Sequence, residues 1–119
     1  MFQKGSFSTP SDSSGVFSVK IIQIRRCDSR HLAGIGKFLR VVLQRTKVKL
    51  IKKRRRKVRA IVIRTKVYNN KFDGLTYCFA NNSLVLLKKR MNTLGKEIYG
   101  PTSKVLKIKK FRIAFKYIY

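Results

Sequence analysis

The sequence predicts a mainly β fold, and three observations carry that prediction. Apolar and polar residues alternate with period two in "VFSVKIIQI" (Val16–Ile24) and "FRIAFKYIY" (Phe111–Tyr119), the pattern of half-buried strands. Ala60–Ile63 is apolar on consecutive residues, which reads as a strand covered on both faces, as in a closed barrel or a sandwich. Between these runs stand clusters of Gly, Asn, Asp, Ser and Pro, the residues that turns require.

Along the chain, Ser6–Ser14 holds Thr9-Pro10 and leads into Asp12-Ser13-Ser14-Gly15, a set of turn formers. In the following strand Phe17, Val19 and Ile21 share one face, opposite Ser18 and Lys20. "RRCDSRHLAGIGK" is then a basic loop ending in Gly34-Ile35-Gly36. This G-x-G runs into "FLRVVLQ", a further β-type stretch, and opens no helix. It therefore fails the context of a dinucleotide fingerprint and reads as a tight turn between strands. Lys47–Arg59, "KVKLIKKRRRKVR", is the most charged segment; its adjacent cations repel one another unless a polyanion relieves them.

After Ala60–Ile63, Asn69-Asn70 and Asp73-Gly74 mark a long hairpin connection, since these residues tolerate left-handed backbone. Leu75, Tyr77 and Phe79 alternate with Thr76 and Cys78, and Asn81-Asn82 turns the chain into "SLVLL". Asp73 is expected to bond turn N–H groups rather than act as an acid. Gly95, Gly100 and Pro101 indicate a loop in which Thr102 or Ser103 caps one or two helical turns. The closing strand puts Phe111, Ile113, Phe115, Tyr117 and Tyr119 on one face.

Composition narrows the function. The 119 residues amount to one domain with a modest core, and 44% hydrophobic content separates the chain from disordered polybasic tails. Thirty Lys and Arg against four Asp and Glu give a net charge of +26, which calls for a polyanionic partner, nucleic acid above all. No apolar run approaches the roughly 20 residues of a membrane span. The opening "MFQKGSFSTPSDSSG" has neither the apolar core of a secretion signal nor an arginine-rich amphipathic helix. Cys27 and Cys78 match no C-x-x-C spacing and read as small buried residues; His31 is the single histidine. Asp12, Asp28, Asp73 and Glu97 fall in separate loops, so neither a nuclease metal site nor a catalytic triad can be assembled. A membrane-surface role lacks its amphipathic helix. The expectation is a non-enzyme with no cofactor, no metal and no membrane partner.

The chain resembles the universal large-subunit ribosomal protein fourteen (L-fourteen) family. Ala60–Ile63, nine residues, Asp73-Gly74, four residues, Phe79, two residues, Asn82, two residues and Val85-Leu86 fit that family's signature spacing. Asp12-Ser13-Ser14-Gly15, Ala33-Gly34-Ile35-Gly36, Arg64-Thr65-Lys66 and Ile98-Tyr99-Gly100-Pro101 are similar to further family motifs. The resemblance implies a small five-stranded β-barrel with a C-terminal loop and short helical region. It would form one domain over residues 1–119, with the barrel at about 1–90 and 110–119 and the loop with short helices at about 91–109.

The resemblance also implies a structural constituent of the large ribosomal subunit. Such a protein binds large-subunit rRNA near the subunit interface, touches neighbouring large-subunit proteins, and bridges to small-subunit rRNA. In bacteria and organelles the family binds a ribosome-silencing factor. Lys96, Glu97 and Tyr99 lie in the loop that would face bridge and factor, with Lys96-Glu97 where a Thr-Arg pair is common. The excess of Lys, Asn, Ile, Phe and Tyr is what an A+T-rich genome produces, which points to a mitochondrial member; a plastid or bacterial cytoplasm is the alternative. For rRNA binding the candidates are Arg25, Arg26, Arg30, Lys47, Lys49, Lys52, Lys53, Arg54, Arg55, Arg56, Lys57, Arg64 and Lys66, which would neutralise phosphates and release counterions.

Overall fold

The computed structural model describes residues 1–25, 32–47, 57–106, 115 and 117–119. Five strands pair into one antiparallel sheet: β1 (Phe7–Ser8), β2 (Val16–Ile24), β3 (Phe38–Thr46), β4 (Lys57–Arg64) and β7 (Ser83–Leu87), in the spatial order β1-β2-β3-β4-β7. Between β4 and β7 the chain makes a separate ribbon of β5 (Asn69–Asn70) and β6 (Thr76–Tyr77). The strands are rich in Val, Ile and Leu, whose branched side chains suit a pleated, buried surface.

β4 and β7 are the heart of the molecule because both of their faces are buried. Ala60, Val62, Leu84 and Leu86 point to one side, where they meet Val19, Ile21, Leu39, Val41, Phe2 and Ala33. Ile61, Ile63, Val85 and Leu87 point to the other, where Leu106 and Phe115 cover them with help from Phe38, Met91, Ile98 and Ile118. Two cores thus share one strand pair, which is why Ala60–Ile63 and "SLVLL" are apolar without alternation. Each fully buried Leu or Ile contributes about 1.5–3 kcal/mol.

In β2 the alternation breaks. Register shifts lie between Val16 and Ser18 and between Ser18 and Val19. This bulge turns Val16 and Val19 both inward and leaves Phe17 57% exposed, so Phe17 does not join the face expected of it. At Gly36 the expected tight turn is present, with φ +82° and the Lys37 N–H donating to the Gly34 carbonyl at 3.3 Å.

Among the described residues the sheet ladders do not close into a barrel, and there is no helix. The stretch that follows β1 instead reaches β7 through an isolated parallel bridge between Pro10 and Leu84, with the Ser11 N–H donating to the Leu84 carbonyl at 2.9 Å. Thr102 and Ser103 do not cap a helix. Both are buried: the Thr102 hydroxyl donates to the Ile63 carbonyl at 3.1 Å, and the Ser103 hydroxyl donates to the Tyr77 hydroxyl at 2.7 Å while accepting from the Val105 N–H. The chain end pairs in parallel with this segment through Thr102 and Ile118. There Ile118 packs inward while Tyr117 and Tyr119 are exposed, so the tyrosines depart from the face shared in the expected pattern. Residues 111–114 and 116 of that pattern lie outside the described residues.

Candidate nucleic-acid interface

The face of β2, β3 and β4 that looks away from the first core becomes a basic surface where the second core ends. Register sets Lys20, Val42 and Lys57 in one row across the three strands, and Gln23, Arg40 and Arg59 in the next. Lys20 and Lys57 are exposed, and Arg40 and Arg59 half-buried. Arg40 and Arg59 are direct cross-strand partners, and like charges directly opposite each other destabilise a sheet. Phe7 pairs with Lys20 in β1, and the Lys20 Nζ stands 5.6 Å from the Phe7 ring centroid. The result is four cations from three adjacent strands, fixed by ladder geometry.

The end of the sheet near Lys57 adds more charge. Lys47 follows β3 there, its N–H donating to the Gly15 carbonyl at 3.0 Å. The pairing of Arg59 with Leu87 sends the chain beyond β7 toward the same end. It turns at once through exposed Lys88, Lys89 and Arg90, closed by Lys88 N–H to the Asn92 carbonyl (2.7 Å) and Met91 N–H to the Lys88 carbonyl (3.1 Å). Lys20, Arg40, Arg59 and Lys88–Arg90 were not among the sequence candidates. Alternation within "FLRVVLQ" and "KVRAIVIR" was the signal for Arg40 and Arg59.

The sequence candidates divide. Lys47 and Lys57 share the basic end just described. Arg25 and Lys66, both exposed, lie at the opposite end of the sheet, where Arg25 N–H donates to the Phe38 carbonyl (3.0 Å) and Lys66 N–H to Asn82 Oδ1 (2.7 Å). Arg26, Arg30, Lys49, Lys52, Lys53, Arg54, Arg55 and Arg56 lie outside the described residues.

Arg64, expected among the rRNA contacts, is placed inside the chain as a clamp. It is 6% exposed, and each of its five N–H donors has a partner in the chain. Nε donates to Asn81 Oδ1 (3.0 Å); one terminal nitrogen to the carbonyls of Tyr99 (2.9 Å) and Pro101 (3.0 Å); the other to the hydroxyls of Ser11 (2.6 Å) and Ser83 (3.0 Å). A guanidinium has five such protons, so no donor is left for a phosphate. Burial lowers its pKa from the ordinary value, yet arginine stays protonated. Gly100 makes room for the clamp: its φ is +83°, and a Cβ there would stand 2.5 Å from the guanidinium nitrogen.

The same clamp positions the loop of Lys96, Glu97 and Tyr99. Asp12, itself buried, accepts from the Ser14 N–H (3.2 Å) and hydroxyl and from the Leu86 N–H (3.1 Å). Ser13 N–H donates to the Glu97 carbonyl (3.0 Å), Glu97 N–H to the Ser13 hydroxyl (3.0 Å), and Tyr99 N–H to the Ser11 carbonyl (2.9 Å). The backbone is thereby pinned on the Ser11–Ser14 loop, while the Lys96, Glu97 and Tyr99 side chains are exposed.

Asp73 does serve its turn. Its Oδ1 accepts from the Leu75 N–H (3.2 Å), and Gly74 takes φ +83°. Asn69-Asn70, expected in the connection, instead forms β5, so the connection shrinks to Lys71–Leu75. Cys78 is a free, exposed thiol and not a buried one; Cys27 lies outside the described residues. Among the described residues no three His, Cys, Asp or Glu side chains gather as metal ligands.

Residues 1–116 match the family described as Ribosomal protein L14p/L23e. Among curated proteins the chain is similar to the large ribosomal subunit protein uL14m of Tetrahymena pyriformis, with 34% identity over 115 residues that cover 97% of each chain.

Proposed function

The chain belongs to the ribosomal protein L14p/L23e family, and from that premise we infer that it is a non-enzymatic structural constituent of the large subunit of mitochondrial ribosomes. The uL14m designation of the Tetrahymena relative supports the mitochondrial setting. The observation that carries the rRNA-binding part is the patch of Lys20, Arg40, Lys57 and Arg59 on one sheet face. Two arginines held opposite each other repel in the free protein, and a phosphate between them removes that repulsion while accepting their planar forks. Lys47 and Lys88–Arg90 extend the same field along the sheet end. Folded RNA is bound mainly through backbone and shape, and a rigid array of cations suits that mode.

In this reading Arg25, Lys66 and the basic segments at Arg26–Arg30 and Lys49–Arg56 make further rRNA contacts. The pinned loop of Lys96, Glu97 and Tyr99 serves the subunit interface, where it meets small-subunit rRNA in bridges and a ribosome-silencing factor. The parallel bridge of Pro10 and Leu84 supports a sheet curled toward a barrel, with the whole chain as one domain that also touches neighbouring large-subunit proteins.

Sedimentation of the tagged native protein through a magnesium-containing sucrose gradient at rising salt tests the proposal. Co-migration with large subunits that survives moderate salt is expected. Recovery only at the top of the gradient, even at low salt, would leave a free RNA-binding protein of the family's fold and end the ribosomal reading.

A further inference from the structure

The ribbon of β5 and β6 carries a feature that the basic sheet face does not explain. Phe72, at its tip, is 112% exposed, and Tyr68 is 74% exposed; Val67 and Leu75 are exposed as well. Single exposed apolar residues are ordinary, but a phenylalanine with its whole surface in water at a hairpin tip gains nothing for the fold. Turn chemistry does not require it either, since that work falls to Asp73 and Gly74.

The tip is stiff. Lys71 N–H donates to the Leu75 carbonyl at 2.7 Å, and Gly74 N–H to the Lys71 carbonyl at 3.2 Å. The ribbon is tied down at its base by the Tyr77 hydroxyl, which accepts from Ser103 (2.7 Å), and by an edge-to-face contact of Tyr77 with Phe79 at 5.8 Å. Asn69 holds the approach by donating to the Thr65 hydroxyl and the Val67 carbonyl. Tyr77 also lies under the Lys71 ammonium, 5.4 Å from its ring centroid. Tyr77 is thus committed within the protein, while the Phe72 ring is offered outward.

We propose that Phe72 stacks on an unpaired base of large-subunit rRNA, with Lys71, its neighbour in the tip, supplying charge beside it. The proposal rests on the rRNA-binding reading above and adds a contact of different chemistry to it. The choice of RNA over a protein pocket follows from charge and shape. The chain carries +26, and the ribbon tip sets Lys71 beside Asp73, whose Oδ1 is bonded to the turn. A ring standing clear of its surroundings presents π-faces, which any base can cover. Pre-ordering by the turn lowers the entropy lost on contact.

Equilibrium binding of the full chain to in vitro transcribed large-subunit rRNA of the same organism provides the test. Phe72→Ala should weaken binding by about 5- to 150-fold, the range of one base stack, without altering the salt dependence. Phe72→Trp should retain affinity, and Phe72→Leu should be as weak as the alanine variant. Full affinity in both Phe72→Ala and Phe72→Leu would overturn the proposal, as would rescue by leucine, which marks an apolar pocket. In assembled subunits, benzoylphenylalanine at position 72 should cross-link to rRNA; a cross-link only to protein overturns the stack. Wild-type binding that depends on salt but not on Phe72 refutes this contact and spares the sheet-face reading. No binding by the wild type removes both.

Discussion

Replacing Arg64 with methionine separates a structural clamp from an RNA ligand. Methionine preserves much of the side-chain volume and removes five hydrogen bonds at once. The loss is smaller than five times one bond. Ser11 and Ser83 already bond each other at 2.8 Å and remain paired, and Asn81 is exposed to water, while the Tyr99 and Pro101 carbonyls lose their donor. Each bond to a charged group is worth about 1.5–3 kcal/mol net, and removal of the guanidinium also ends the cost of burying it. The balance is a destabilisation of about 2–4 kcal/mol, from the same hydrogen-bond scale, or a fall in Tm on the order of 10 °C for a domain of this length. Thermal melting followed by far-UV circular dichroism reads the effect. Arg64→Lys should recover only part of it, because an ammonium has three donors and no planar fork. The affinity of the folded variant for rRNA, and its salt slope, should match wild type. An unchanged Tm together with a shallower salt slope would refute the clamp and return Arg64 to the phosphate contacts.

Arg40→Gln should raise the melting stability of the free protein by a few tenths to about 1 kcal/mol, by ending the cross-strand repulsion with Arg59, yet weaken rRNA binding and lower the salt slope by about 0.7–0.9. If stability falls instead, the two side chains do not oppose each other. Gly95→Ala should release the Lys96–Tyr99 loop, since a Cβ would meet the Ser13 and Ser14 backbone nitrogens at 2.8 Å; amide exchange at Ser13 and Glu97 would quicken while the β3–β4 ladder stays protected. Leu106→Ala should cost about 2–5 kcal/mol in denaturant unfolding, as a large-to-small change in a fully buried position.

Strands β2, β4 and β7 were legible in the sequence because burial wrote their pattern directly: alternation where one face is covered, continuous apolar runs where both are. Phe17 was misread since a bulge shifts the phase without leaving a residue type that marks it. Asn69-Asn70 reads as a turn by propensity, but the ribbon's ladder to Thr76 and Tyr77 overrides that preference. Thr102 and Ser103 have the chemistry of helix caps and use it on Ile63 and Tyr77, partners that only the tertiary fold brings near. Among the cations, the run Lys52–Lys57 stands out in the sequence, whereas Lys20, Arg40 and Arg59 stand singly within strands. Charge alone does not say whether an arginine faces water. For Arg64 the alternation of Val58, Ala60 and Val62 gives no guide, because a register shift between Val62 and Arg64 breaks its phase and pairs Arg64 with Ser83.

The sharing of one strand pair by two cores has a consequence in time as well as in space. During synthesis β4 and β7 leave the ribosome before the segments that cover their second face, and Leu106, Phe115 and Ile118 follow Leu87 by up to about thirty residues. At a synthesis rate of about 5–20 residues per second, roughly 2–6 seconds separate Leu87 from Ile118 and roughly 3–11 seconds separate Ile61 from it. Until those later segments are made, the second core cannot be completed. Slower synthesis between Leu87 and Ile118 would lengthen that interval.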